Sequence, residues 1–211
     1  MKDPEHPYVG RGGLKLEHAL REFDIDPHGL RCADFGCNVG GFTDCLLRHG
    51  ARLVYAVDTS YGTLEYRLRV DDRVTVMERT NALHATPPAG GVDLVVADMG
   101  WTPQRLVIPA ALRWFASDST MARLVTLIKP HYERSDRERS GRRNRTVLSE
   151  DEALRIAEST TELAPQFGAR VLNMIRSPIR GGGSRGRSGN VEYLALIVRE
   201  PAIDPHDPGG V

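Results

Sequence analysis

The chain has 211 residues, with 28 Lys plus Arg against 28 Asp plus Glu and a formal net charge of zero. This length fits one domain able to bury about 70% of its unfolded surface, and the balanced total does not by itself advertise a polyanion partner. No apolar run approaches the roughly 20 residues that span a bilayer, and the opening MKDPEHPYVG lacks the apolar core of a secretory signal. The cysteines, Cys32, Cys37 and Cys45, are odd in number and lack C-x-x-C spacing, which argues against a disulfide framework and a zinc site. No metal is therefore expected, and a reducing cytoplasm is the simplest home.

In chain order, Leu16, Ala19, Leu20 and Phe23 recur at helical spacing and predict an amphipathic helix over about 13–24. Short apolar runs then predict strands at 30–36, 52–58, 73–78, 92–98 and 123–129. Helical patterns lie between most of them, at 40–50 and 102–115. A further helix is expected over 149–164, with Ser149 and Glu152 in capping-box spacing. Strands at 169–177 and 191–200 follow. The expected organisation is a single domain over 1–200 and a disordered tail over 201–211.

Alternating strands and helices with near-continuous apolar strands predict an α/β fold: a mainly parallel sheet covered on both faces. Ligands of such sheets bind at the carboxyl ends of the strands. Asp34 with Gly36, then Asp58, Glu78, Asp98 and Lys129 fall at five successive strand ends, which argues for one site.

DFGCNVGGF, residues 34–42, follows the first strand and opens a helix. Its glycines let backbone pass close to a ligand and leave helix N-terminal amides free. Asp58 comes 22 residues after Gly36, where a carboxylate can accept hydrogen bonds from a ribose diol. The spacing is not G-x-G-x-x-G, so a dinucleotide fingerprint fails in detail. In MERTNA, Glu78, Thr80 and Asn81 are placed to face an adenine, and Asn81 suits best because its amide both donates and accepts. A nucleoside-bearing cofactor without a diphosphate fits this pattern, and S-adenosyl-L-methionine is the candidate. The expected cofactor residues are Asp34, Gly36, Cys37, Asn38, Gly40, Gly41, Phe42, Asp58, Thr80, Asn81 and Asp98.

Lys2, Lys15 and Lys129 are the only lysines in an otherwise arginine-based cation set. A Lys129–Asp98 salt bridge is the plain structural explanation. It leaves open why arginine, the better planar partner, is not used there. Lysine can give up its proton when its surroundings are tuned, and arginine cannot. Two Gly/Ser-interleaved stretches add positive charge: 134–145 with six arginines and two acids, and 176–189 with four arginines and no acid. Each reads as a loop, and together they suit a phosphate-rich substrate.

YVGRGGLKLEHAL, DFGCNVGGFTDCLL, YAVDTSYGTL, VMERTN, DLVVADM, LIKPHYE and GNVEYLAL occur in this order between residues 8 and 198. This series resembles the FtsJ-like ribose 2′-O-methyltransferases, most of all the TlyA or hemolysin A branch. The resemblance implies a class I S-adenosylmethionine-dependent methyltransferase (Rossmann-like) fold with a seven-stranded, mainly parallel sheet. It implies S-adenosyl-L-methionine as methyl donor and an RNA substrate, expected to be ribosomal; the sequence itself offers no membrane-active segment, so no membrane partner is expected. It also implies a catalytic tetrad at Lys15, Asp98, Lys129 and Glu192.

TlyA-type proteins usually begin with a small S4-like RNA-binding domain, whereas this chain starts almost at the catalytic motif. RNA contacts are therefore expected from Arg11, from the arginine-rich stretches through Arg134, Arg142, Arg143, Arg185 and Arg187, or from a partner. Trp101, in the distinctive DMGWTPQ, either stacks on a base or packs under its loop. The region of Tyr132 and Arg134 is either a lid or a solvated loop. Rival readings are methyl transfer to a non-RNA nucleophile and a non-catalytic RNA-binding or ribosome-assembly factor. Oligomeric state is not legible.

Overall fold

The computed structural model describes residues 6–116, 119, 122–134, 148–181 and 189–200. Seven strands form one sheet: β1 (Arg31–Phe35), β2 (Leu53–Val57), β3 (Val74–Met77), β4 (Leu94–Ala97), β5 (Arg123–Ile128), β6 (Ala169–Arg176) and β7 (Tyr193–Arg199). Their order is β3-β2-β1-β4-β5-β7-β6. The first five run parallel, and β7 is antiparallel to both β5 and β6. Reversal at β7 has a functional consequence. Tyr193 pairs with Ile128, so the start of β7 lies beside the end of β5 and shares the sheet edge where the parallel strands finish.

Both faces of the central strands are buried, as their unbroken apolar runs require. On one face Val54, Ala56, Val96 and Val125 pack against Leu16, Ala19 and Leu20 of α1 (Gly12–Glu22) and Phe42, Cys45 and Leu46 of α2 (Gly41–Arg48). Alternate strand residues Ala33, Phe35, Val95, Leu124 and Ile128 face the other way. They meet Val107, Ile108 and Ala111 of α4 (Gln104–Leu112), Ala153 and Ala157 of α6 (Glu150–Thr161) and the buried Trp114. Burying each large aliphatic side chain contributes roughly 1.5–3 kcal/mol.

Helix ends follow local chemistry. α1 stops short of the expected residue 24 because Asp24 takes a left-handed conformation, φ 51°, and Ile25 N–H closes back on Leu20 O at 2.9 Å. The 102–115 pattern shortens to α4, which starts behind Pro103. α6 begins as expected, with Ser149 Oγ accepting from the Glu152 amide at 3.2 Å. A 3-10 turn, Ala164–Phe167, follows it. Among the described residues, two single-turn helices escape a periodicity reading, being too short to show a period: α3 (Tyr66–Arg69) and α5 (Pro130–Glu133). Pro130 at the first helical position makes α5 a helical turn where the sequence suggested a polar loop.

Arg142, Arg143, Arg185 and Arg187, and the expected tail over 201–211, lie outside the described residues.

Candidate active site

The parallel strands end one residue before their functional side chains. Asp58 follows Val57 of β2, Asp98 follows Ala97 of β4, and Lys129 follows Ile128 of β5. Glu192 precedes Tyr193, the first residue of the reversed β7. Each of the four is thereby released from the ladder at the same edge, where it can turn into a cleft.

That cleft has a volume of about 780 Å³, within the range of small-molecule sites. It contains Lys15, Asp98, Lys129 and Glu192, together with Gly36, Cys37, Asn38, Gly41, Phe42, Asp58, Thr80 and Asn81. Arg11 and Trp101 also line it. Sequence reading missed Arg180 and Ile179, on the connection from β6 to β7, and Thr63, Ala82 and Leu83. A better signal was available for Arg180, because the β6–β7 connection had to return to the edge bearing Glu192.

Three expected residues are not in the cleft. Asp34 lies within β1, one residue before its end, and is completely buried. Its Oδ2 accepts from the Thr43 hydroxyl at 2.7 Å, while Oδ1 has no hydrogen-bond partner among the described residues. Burial pushes its carboxyl up to about 7, further raised by nearby Asp98 and Asp58 and opposed by the Thr43 hydrogen bond. Gly40 turns towards the core: at φ 100° it caps α2, and a Cβ there would run into the Leu68 and Leu64 side chains. Arg134 pairs with Glu152 of α6 at 3.7 Å, with its side chain only 14% exposed. Glu78, the alternative adenine-facing acid, is also diverted: it is paired with both terminal nitrogens of Arg69 and accepts from the Gly62 amide at 2.8 Å. Arg69 holds the Glu78 carboxyl below its usual range.

At the β2 end of the cleft, Asp58 is held by backbone. Its Oδ2 accepts from Asn38 N–H and its Oδ1 from Ser60 N–H, each at 2.8 Å. Asn38, at φ 48°, and Gly36, at φ 81°, make the turn that brings the Asn38 amide there. Any side chain at Gly36 would strike the Asp98 carbonyl. Asn81 Oδ1 accepts from Leu83 N–H at 3.0 Å, so one acceptor position is spent on its own turn.

At the other end, four ionic side chains alternate in sign. Lys129 Nζ lies 2.5 Å from Asp98 Oδ1, Asp98 Oδ2 lies 3.7 Å from Lys15 Nζ, and Lys15 Nζ lies 2.6 Å from Glu192 Oε2. Lys129 also donates to Met99 O at 3.2 Å. Exposure falls from 23% at Asp98 to 3% at Glu192, so the Lys15–Glu192 end is the most enclosed. Beside Lys129, the half-buried His131 imidazole is held down to about 4 by burial and then by the Lys129 charge, so it stays neutral at physiological pH. Trp101 is 76% exposed, which removes packing under its loop as its role. Its ring stands edge-on to Tyr132, with centroids 6.4 Å apart.

With β1 between β2 and β4, Asp58 and Asp98 are separated by two strand spacings, about 10 Å. A carboxylate and an ionic relay that far apart suit an elongated ligand that reaches both.

The chain is similar to known proteins in sequence and fold. The FtsJ-like methyltransferase family matches residues 8–185. The 16S/23S rRNA (cytidine-2′-O)-methyltransferase TlyA of Mycobacterium tuberculosis is 40% identical over 201 residues, which cover 93% of this chain and 70% of that protein. Hemolysin A of Brachyspira hyodysenteriae is 35% identical, over 90% of this chain and 77% of its own. A solved structure from Streptococcus thermophilus aligns with a TM-score of 0.82 at 34% identity, covering 94% of this chain and 70% of that one. An S-adenosylmethionine-dependent methyltransferase from Mesorhizobium loti aligns with a TM-score of 0.60 at 18% identity, covering 90% of this chain and 100% of that one, a likeness of fold. The sheet is thus that of the class I methyltransferases, and the chain belongs to the FtsJ-like methyltransferase family as a TlyA-type member.

Proposed function

We propose that the protein transfers a methyl group from S-adenosyl-L-methionine to a ribose 2′-hydroxyl of ribosomal RNA. The observation that carries this reading is the Lys129–Asp98–Lys15–Glu192 relay at one end of a cleft whose other end holds Asp58. The relationship to TlyA supports the RNA substrate.

The residues fit the cofactor. Asp58, fixed by the Asn38 and Ser60 amides, would hold the ribose diol. Gly36, Cys37, Gly41 and Phe42 would border the cofactor, while Thr80 and Asn81 would lie against the base. When bound, the cofactor supplies an electrophilic methyl group on a positively charged sulfur. Much of the rate then comes from holding hydroxyl oxygen and methyl carbon in line. Lys129 would take the 2′-hydroxyl proton as the oxygen bonds to the methyl carbon and the carbon–sulfur bond breaks, its electron pair staying on the sulfur. Asp98 orients Lys129 and stabilises the ammonium that results. Lys15, anchored by Glu192, aims the hydroxyl and balances the carboxylates.

Arg11 adds a cation to the cleft for phosphates flanking the target ribose, beside Arg180, whose guanidinium is already paired with Glu150 at 2.5 Å. Exposed Trp101 offers a stacking face for its base. Among the described residues no helix is long and apolar enough to cross a membrane, and a ribosomal RNA substrate puts the reaction in the cytoplasm. The deciding experiment is transfer of labelled methyl from the cofactor to total RNA of a strain lacking the protein, followed by nucleoside mapping. A 2′-O-methylated nucleoside in ribosomal RNA is expected. Label on a base, or none in RNA, would overturn the reading.

A further inference from the structure

Behind the relay, away from the cleft, lies a second set of contacts. α4 starts at Gln104 after Pro103, which supplies no side-chain cap. The Gln104 amide donates instead to both carboxylate oxygens of Glu133, at 3.0 and 3.2 Å. Glu133 closes the α5 turn that begins directly after Lys129. A carboxylate at this place satisfies a free helix amide and meets the positive end of the helix dipole. The Gln104 side chain makes the second tie. Its Nε2 donates to Leu127 O at 3.2 Å, and its Oε1 accepts from the Thr126 hydroxyl at 2.9 Å. Gln104 and Thr126 are only 3% and 1% exposed, so these bonds compete little with water.

The segments carrying Asp98 and Lys129 are thus laced on two sides. On the cleft side Lys129 reaches Asp98 and Met99. Behind it Gln104 reaches Thr126, Leu127 and Glu133. Residues 98–103 between these ties belong to no strand or helix and include Gly100 and Trp101, the latter at φ 56°. Without the rear tie this connection has slack, and the Lys129–Asp98 geometry is what slack would spoil.

We propose that Glu133 and Gln104 are positioning residues for methyl transfer, locking the β4–α4 and β5–α5 connections so that Lys129 and Asp98 stay aligned at the 2′-hydroxyl. The proposal rests on the reading of Lys129 as the group that takes the hydroxyl proton. A displacement of about 1 Å in such a site costs on the order of 10²-fold in rate. Cofactor contacts at Asp58 and Asn38 lie on other connections and are untouched by the lock.

The test compares Glu133→Ala, Glu133→Gln, Gln104→Leu, the Glu133→Ala/Gln104→Leu double variant and Lys129→Ala in the full chain. Single-turnover methyl transfer to RNA, steady-state RNA KM, calorimetric cofactor affinity and thermal melting are measured for each. Expected for Glu133→Ala is a fall in turnover of about 10- to 100-fold, with cofactor affinity and RNA KM within about twofold of the parent. Glu133→Gln keeps one acceptor and recovers most of the rate. The double variant is no slower than the worse single one, because both break the same lock. Full turnover in Glu133→Ala beside an inactive Lys129→Ala overturns the positioning role alone. Full turnover in Lys129→Ala overturns the reading beneath it as well. If Glu133→Ala does not fold, Glu133→Gln at parental melting temperature carries the same comparison against Gln104→Leu, and equal, parental rates in both overturn the proposal.

Discussion

Lys129 Nζ and Asp98 Oδ1 stand 2.5 Å apart at the ends of neighbouring parallel strands, β5 and β4. An ion pair with no further task would have been served by arginine, which supplies every cation of the chain except Lys2, Lys15 and Lys129. Asp98 is shared as well: its other oxygen faces Lys15 at 3.7 Å. A carboxylate between two lysines can stay paired while either one changes its proton, which a simple salt bridge does not allow.

Lys129→Arg therefore separates charge from proton transfer. The variant retains a cation beside Asp98 and should keep the fold and the cofactor affinity. Methyl transfer should fall by about 10² or more, the range attached to a lost general base. The measurement is single-turnover transfer at saturating cofactor. Parental turnover would sink the proton-transfer role.

The Lys15–Glu192 contact, 2.6 Å long and with Glu192 only 3% exposed, ties α1 to the start of β7. Lys15 keeps Asp98 when Glu192 is removed, but removing Lys15 strands the buried Glu192 carboxylate, so Lys15→Met should lower unfolding free energy by about 3–5 kcal/mol. Removing both, in Lys15→Met/Glu192→Leu, should recover much of that loss while remaining inactive. Urea unfolding of the four proteins closes the cycle, and additive losses would mean that the pair is not coupled.

Much of this arrangement was legible in the chain, and the limits are instructive. β2, β4 and β5 each bring an acid or lysine to the sheet edge, and apolar runs locate these ends to within a residue or two. One residue decides the outcome, though. Asp58 and Asp98 lie just past their strands and enter the cleft, whereas Asp34 is still paired inside β1 and points into protein. Period alone does not fix that boundary. Glu192 reaches the site because β7 runs backwards, which strand pairing decides. The Gln104 lock joins residues 22 to 29 positions apart and has no periodic signature. Glu78 shows the converse: correctly placed at a strand end, it is taken by Arg69 of a helical turn too short to predict.

Asp58→Ala should weaken cofactor binding at least about tenfold, or about 1.4 kcal/mol. The loss has two sources: the diol acceptor and the anchor of the Asn38 and Ser60 amides. Asp58→Asn keeps an acceptor and should lose less. Titration calorimetry with S-adenosyl-L-methionine reads both, and unchanged affinity in Asp58→Ala would remove this residue from the site.

Trp101→Ala should raise the KM for RNA while leaving cofactor affinity alone, because the ring is 76% exposed at the cleft. Stacking on one base is worth roughly 1–3 kcal/mol, so a rise of about 5- to 150-fold is expected. Trp101→Phe should restore most of the loss. An unchanged KM in the alanine variant would show that no base rests on this ring.

Asp34 sets a pH dependence of stability whose sign can be worked out. Its folded carboxyl titrates at about 7 because it is buried, whereas the unfolded chain's titrates near the ordinary value of about 3.9. Between those values the folded protein holds the extra proton, so its stability falls as pH rises. The loss from this group is on the order of 4 kcal/mol, complete once pH passes about 7. Asp34→Asn cannot ionise and still offers the Thr43 hydroxyl an acceptor. The difference in unfolding free energy between the parent and Asp34→Asn, measured in urea from pH 4.5 to 8, should therefore shift steadily in favour of the variant. Other titrating groups, the histidines among them, cancel in that difference. Parallel profiles would show that Asp34 ionises normally in the folded chain and that the core behind the glycine-rich turn accommodates its charge.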